Sequence, residues 1–289
     1  MYSFITLVKD LRARPRFLYA ALFISILMKE TKLFTRYVGS LFTIMAMPFM
    51  MSWLFMGIGY AVAGYSALDN FTVNTGVKSP LLYFTLGGVL MISSMIMVEN
   101  MSSVIREEQL MGTFELHYLT PNNTILVWIF HAVAQSILIL IVFTIDLTVV
   151  VALQGSLLSP LDWLVASLII LLGLLPLAGI GLAVAALTMR FKEVWAVAST
   201  INSFIAMLSG FFYPLEVFPG IVRLAASLLP TTHASQLLRQ IIQASATSLD
   251  FQQKIAIMLG LSLLYLILGR FVYERWEVEA RSKGELAKY

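Results

Sequence analysis

Four stretches of this chain reach the length of a membrane crossing without a single charged side chain: Val38 to Ala63, Leu81 to Val98, Trp163 to Met189 and Val194 to Phe212. A bilayer core about 30 Å thick is crossed by roughly 20 apolar residues of helix. Two more stretches qualify with one charge each. Ile125 to Leu153 contains Asp146, and Ile255 to Val272 contains Arg270 close enough to its end for the side chain to reach the headgroups. Charged residues make up only 12% of the chain, about half of what an ordinary soluble domain carries. No water-soluble fold of this size could bury so much hydrocarbon. The expectation is an all-α polytopic membrane protein with six transmembrane helices. Residues 1–289 form one membrane domain: an N-terminal segment over 1–37, a six-span bundle over 38–273 and a tail over 274–289.

An even number of spans puts both termini on one side, and the basic residues say which. Lys9, Arg12, Arg14, Arg16, Lys29, Lys32 and Arg36 precede the first span, and Arg270, Arg275, Arg281, Lys283 and Lys288 lie at or beyond the last. Arg106, Arg190 and Lys192 fall on loops of that same side, whereas Lys78, Arg223, Arg239 and Lys254 fall on the other. The positive-inside bias makes both ends cytoplasmic in a multi-pass protein of the cell (plasma) membrane. The basic residues are spread between spans and in the tails, which excludes a nucleic-acid-binding face. Phe17 to Met28 is apolar and follows arginines, but it is too short to cross and has no small-residue cleavage site after it. It reads as an interfacial helix along the inner leaflet.

Outside the membrane, Gly64 to Ser79 reads as a short polar loop. Pro214 to Gln253 is too apolar to be a free one. Pro219-Gly220 and Pro230 break it into helical pieces near Ile221 to Leu229 and Ala234 to Ala246, the second opened by Thr232 as a cap. Neither piece can cross, so re-entrant helices dipping into the outer leaflet are expected between spans five and six.

Little here suits catalysis. There is no G-x-x-x-x-G-K-[ST] loop for a nucleotide phosphate, no cysteine, and His117, His131 and His233 lack metal-ligand spacing. No catalytic residue, cofactor or metal is expected in this chain. His131 with Gln135 four residues on suits a hydrogen bond between helices better than a ligand. Glu99 and Asp146 are intramembrane acids and so functional suspects by default. Both fall near span ends, which favours structural pairing, while an ion-coupled secondary transporter using them is the rival reading.

The most unusual segment is Arg106 to Pro121, R-E-E-Q-L-M-G-T-F-E-L-H-Y-L-T-P, a carboxylate-rich stretch between two hydrophobic spans. Glu107 to Leu119 suits a helix that Thr120-Pro121 stops. Leu110, Phe114 and Tyr118 recur every fourth residue as one apolar face, with Glu108 and Glu115 off that face and Gly112 allowing close approach. A connector lying on an anionic inner leaflet is usually basic, and this one is acidic, which favours a protein partner.

Glu108-x-x-x-Gly112-Thr113-x-Glu115 leading to Thr120-Pro121 resembles the signature of type-2 ABC-exporter permeases, the membrane subunits of drug, lipo-oligosaccharide and polysaccharide exporters. A second stretch agrees. Ser209-Gly210-Phe211-Phe212-Tyr213-Pro214-Leu215-Glu216-x-x-Pro219, then Leu229-Pro230-Thr231 and Arg239, is similar to that family's fifth-span exit and external helices. His117-Tyr118 departs from the pair of leucines common there. The resemblance implies that Arg106 to Leu119 is a cytoplasmic coupling helix docking on a separate ABC ATPase, with Glu108, Leu110, Gly112, Thr113, Phe114, Glu115 and Tyr118 as the coupling residues. It also implies two permeases, as a homodimer, with two ATPases that hold the ATP and magnesium. The first, second and fifth spans would flank the export path of an amphipathic, lipid-linked or drug-like molecule, with Phe49, Trp53, Phe204 and Phe211 as candidate substrate-path residues.

Overall fold

The computed structural model describes residues 15–75, 79–119, 123–153, 159–188, 193–242 and 249–283, and every regular element among them is helical. In chain order these are α1 (Pro15–Arg36), α2 (Val38–Ala63), α3 (Ala67–Thr75), α4 (Pro80–Leu110), α5 (Phe114–Leu119), α6 (Thr124–Leu153), α7 (Pro160–Thr188), α8 (Val194–Leu208), α9 (Gly220–Ser227), α10 (Pro230–Ile242) and α11 (Leu249–Lys283). Single 3-10 turns stand at Gly64–Ser66 and Leu215–Val217.

Five helical segments are long and apolar enough to cross a bilayer: Leu41–Val73, Pro80–Leu110, Thr124–Ala152, Pro160–Leu187 and Leu249–Ala280. Helix α8 is shorter, at 15 residues, or about 22 Å against a core of about 30 Å. It stops at Leu208, where the chain turns through Ser209 and Gly210, the latter at φ +64°. The apolar run expected to cross as far as Phe212 is therefore a shorter helix followed by a buried turn.

Helices α4 and α7 form the centre. Of the apolar window of α4, 78% is buried within the chain, against 11% for that of the Leu41–Val73 segment, which covers most of α2 and α3. Close backbone approach fixes α7 on α11. A Cβ on Gly179 would lie 2.2 Å from the Tyr265 carbonyl oxygen, and one on Gly269 would lie 2.3 Å from that of Gly179. Small residues at such crossings let lipid-embedded helices pack by dispersion, since apolar burial alone gives little drive between them. Helix α10 sits in this core rather than on its surface, with Leu237, Leu238 and Ile241 buried.

Several boundaries differ from those the sequence suggests. Helix α1 has 22 residues and extends past the apolar stretch through Lys29, Glu30 and Lys32, because Glu30 finds polar partners on α6. Of the expected loop Gly64 to Ser79, residues 64–75 are helical, and Phe71 of α3 packs on Tyr83 and Phe84 with ring centroids 5.2 and 5.1 Å apart. Helix α10 begins at Pro230, which needs no N–H donor at a first-turn position, so Thr232 lies inside the helix and is not its cap.

Candidate functional site: the α4–α5 elbow

The stretch expected to be one helix from Glu107 to Leu119 is two, joined by a sharp elbow. The Gly112 N–H donates to the Gln109 carbonyl and the Thr113 N–H to the Glu108 carbonyl, both at 2.9 Å, with Gly112 at φ +67°. This is the Schellman arrangement, which satisfies two carbonyls of the last turn of α4 and requires the left-handed conformation that glycine adopts at low cost. The contact that usually accompanies it is apolar. Here the Thr113 hydroxyl donates to the Glu108 carboxylate instead. The spacing Glu108-x-x-x-Gly112-Thr113 thus encodes a helix stop with a polar clasp across it.

Glu108 is the hub of that clasp. Lys29 Nζ of α1 donates to its Oε1 at 2.6 Å, and His117 Nε2 of α5 stands 3.5 Å from its Oε2. One buried carboxylate therefore ties three helices together. Glu108, expected to meet a partner as a coupling residue, is turned inward, because Lys29, Thr113 and His117 converge on it. His117, the departure from the paired leucines, lies 5.3 Å between ring centroids from buried Trp128 and faces the clasp.

The apolar face expected from Leu110, Phe114 and Tyr118 does not exist as a single stripe. Leu110 is 72% exposed, whereas Phe114 is 2% exposed and packs near Trp276 of α11. The elbow rotates α5 relative to α4, so residues four apart in sequence no longer share a side. What the elbow presents outward is Leu110, Met111 and Leu116. Helical periodicity carried across Gly112 does not point to Met111 and Leu116, because the helix stops there. The side chains of Glu115 and Tyr118 lie outside the described residues, as do Thr120 and Pro121.

Removing the hub has a measurable cost. Glu108→Ala leaves the Lys29 ammonium and the Thr113 hydroxyl without their shared acceptor, and is expected to lower stability by about 1–3 kcal/mol. Glu108→Gln keeps an oxygen for Thr113 and should cost less. Thermal unfolding of the purified chains gives the order, and identical midpoints for all three would show that the clasp contributes nothing.

The four candidate path aromatics do not line one surface. Trp53 and Phe204 are exposed and Phe49 is half-buried, but Phe211 is fully buried. Phe211 belongs to the turn after α8, whose carbonyl oxygen would lie 1.8 Å from a Cβ on Gly87 of α4, so it serves packing in this conformation. Arg239 holds the same turn, donating to the Gly210 and Phe211 carbonyls at 3.0 and 2.6 Å with its guanidinium 3.5 Å from the Tyr83 ring centroid. Burial pulls its pKa down, opposed by Tyr83 and Glu216. Arg223 likewise donates to the Glu216 and Phe218 carbonyls.

Among the intramembrane acids, Glu99 accepts from Asn202 of α8 at 3.1 Å. Asp146 is buried apart from it, and its Oδ2 has no hydrogen-bond partner among the described residues. His131 Nδ1 stands 3.2 Å from Glu30 Oε1, and Gln135 donates to the other oxygen of Glu30, a helix-to-helix use of both. No group of three metal-ligating side chains occurs among the described residues.

A family model described as "ABC-2 type transporter" matches residues 21–242, a range that runs from within α1 through the elbow to the end of α10. The chain belongs to the ABC-2 type transporter family. It is a multi-pass membrane protein. A relative in Bacillus subtilis (strain 168), named "Putative transport permease YvfS", is 20% identical over 145 residues. Those residues are 50% of this chain and 58% of that protein, so the chain spans little more than half of its relative's length.

Proposed function

We propose that this chain is the membrane subunit of an ABC exporter, moving an amphipathic, lipid-linked or drug-like molecule out of the cytoplasm or inner leaflet, driven by a separate ATPase subunit that holds ATP and magnesium. The observation that carries the reading is the elbow. Three apolar side chains, Leu110, Met111 and Leu116, project from a helix stop that is rigidly capped and tied to α1 through Lys29. Such a knob can transmit force, because a push on it moves the lower end of α4 and α1 together. In this reading the elbow and both termini are cytoplasmic, and α8 with its following turn completes a sixth crossing. Helices α9 and α10 are then the external re-entrant pair. The sparse burial of α2 within the chain leaves a face for a second permease, giving a homodimer served by two ATPases in the cell membrane.

The chain has no cysteine of its own, so one introduced thiol tests this cleanly. Met111→Cys is preferable to a cysteine at Gly112, whose positive φ would strain any side chain. A membrane-impermeant maleimide should label Met111→Cys only in opened or inverted membranes, and the bound ATPase should slow that labelling severalfold. Labelling from outside intact cells would reverse the topology, and equal rates with and without the ATPase would remove the elbow from the interface.

A further inference from the structure

A cavity of about 400 Å³ lies between α1, α2, α4 and α6, and Glu30, the residue after Lys29, is part of its lining. Its polar lining is Glu30, Ser93, Glu99, Asn100 and Gln135, and the rest of its wall is apolar, including Phe34, Ile44 and Leu138; no lysine or arginine lines it. Glu30 is met by Gln135 and by His131, and Glu99 by the Asn202 amide. Among the described residues no lysine or arginine pairs with either acid, and His131 is the one titratable group beside them. Ser93 gives an independent sign of a missing occupant. It is only 6% exposed, it lines the cavity, and its hydroxyl has no hydrogen-bond partner among the described residues.

Two carboxylates in a half-buried, mostly apolar chamber favour a positive guest, since charge unneutralised in a low-dielectric site is costly. The volume is in the range of small-molecule sites and far above that of a bare ion. The apolar walls require a guest with a hydrocarbon or aromatic body. We propose that this cavity is the loading site for a cationic amphiphile, with a protonated amine or quaternary nitrogen set between Glu30 and Glu99, a donor or acceptor meeting Ser93, and the apolar body against Phe34, Ile44 and Leu138. The exporter reading is needed only to make the site the start of an export path; the binding chemistry stands apart from it.

The test is fluorescence titration of the full chain in phosphatidylcholine nanodiscs, which add no anionic lipid. Ethidium, a cationic aromatic of suitable size, is compared with the anionic aromatic 1-anilinonaphthalene-8-sulfonate. Ethidium should bind saturably and the sulfonate should not. Glu99→Gln, nearly isosteric and still able to accept from Asn202, should weaken ethidium about tenfold or more. Ser93→Leu, which fills the chamber without changing charge, should do the same, with monodispersity on size exclusion as the folding check. Equal binding of the two probes, or unchanged ethidium affinity in a folded Glu99→Gln, overturns the site. ATP hydrolysis that co-purifies with the tagged chain from its own membranes is read alongside. Hydrolysis without ethidium binding removes this site and leaves the exporter reading, while charge-selective binding without an ATPase keeps the site and removes the export reading.

Discussion

Phe114→Ala should deplete folded protein, and not merely loosen a partner's hold on the elbow. The ring is buried beside Trp276, which in turn neighbours Tyr273 at 5.7 Å, and Tyr273 faces Trp128 at 6.5 Å between centroids. Truncating a buried phenylalanine costs about 3–5 kcal/mol through lost transfer energy and the cavity left behind. That is a large fraction of the 5–15 kcal/mol typical of whole domains. Detergent-extracted Phe114→Ala should give less monodisperse protein and a clearly lower unfolding temperature. Leu110→Ala removes an exposed side chain, so it should leave the unfolding temperature alone and reduce only the recovery of the ATPase. The opposite result, a normal melting temperature for Phe114→Ala with the ATPase lost, would mean that the elbow opens on docking and releases Phe114 as an anchor.

The membrane character of the chain was legible because lipid imposes a hard rule: every crossing needs an apolar helix of sufficient length. Composition alone satisfies that rule over α2, α4, α6, α7 and α11. It misplaces the end of α8, because the turn at Ser209 to Phe212 is buried in protein and is as apolar as the helix before it. There the polar atoms are satisfied by groups distant in sequence, with Ser209 Oγ 2.6 Å from Thr231 Oγ1 and the next two carbonyls held by Arg239. The elbow was half legible. Glu108, Gly112 and Thr113 stand out in the sequence, yet their shared role as a helix stop emerges only from the bonds they make. Counting Leu110, Phe114 and Tyr118 as one face assumed that α4 continues, and a glycine at φ +67° removes that assumption. The Lys29–Glu108 pair spans 79 residues, and no local pattern could have announced it.

Arg239→Leu is expected to release the turn that ends α8. A buried ion can sometimes be replaced by an apolar residue of similar size with no loss, because its own desolvation penalty disappears. That compensation should fall short here. The guanidinium supplies two carbonyls of a tight turn whose neighbouring glycine is already at φ +64°, and leucine leaves the Gly210 and Phe211 oxygens without donors. Each orphaned carbonyl costs about 1–3 kcal/mol, and the cation over the Tyr83 ring is lost as well. Arg239→Lys keeps the charge but presents a point donor in place of a planar fork, so it should reach one carbonyl and fall between the parent and Arg239→Leu. The readouts are the unfolding temperature of each purified chain and protease cleavage across residues 209–219. Melting and cleavage of Arg239→Leu identical to the parent would show that the turn is held by the packing of Gly87 against Phe211 alone, with Arg239 contributing no net tether.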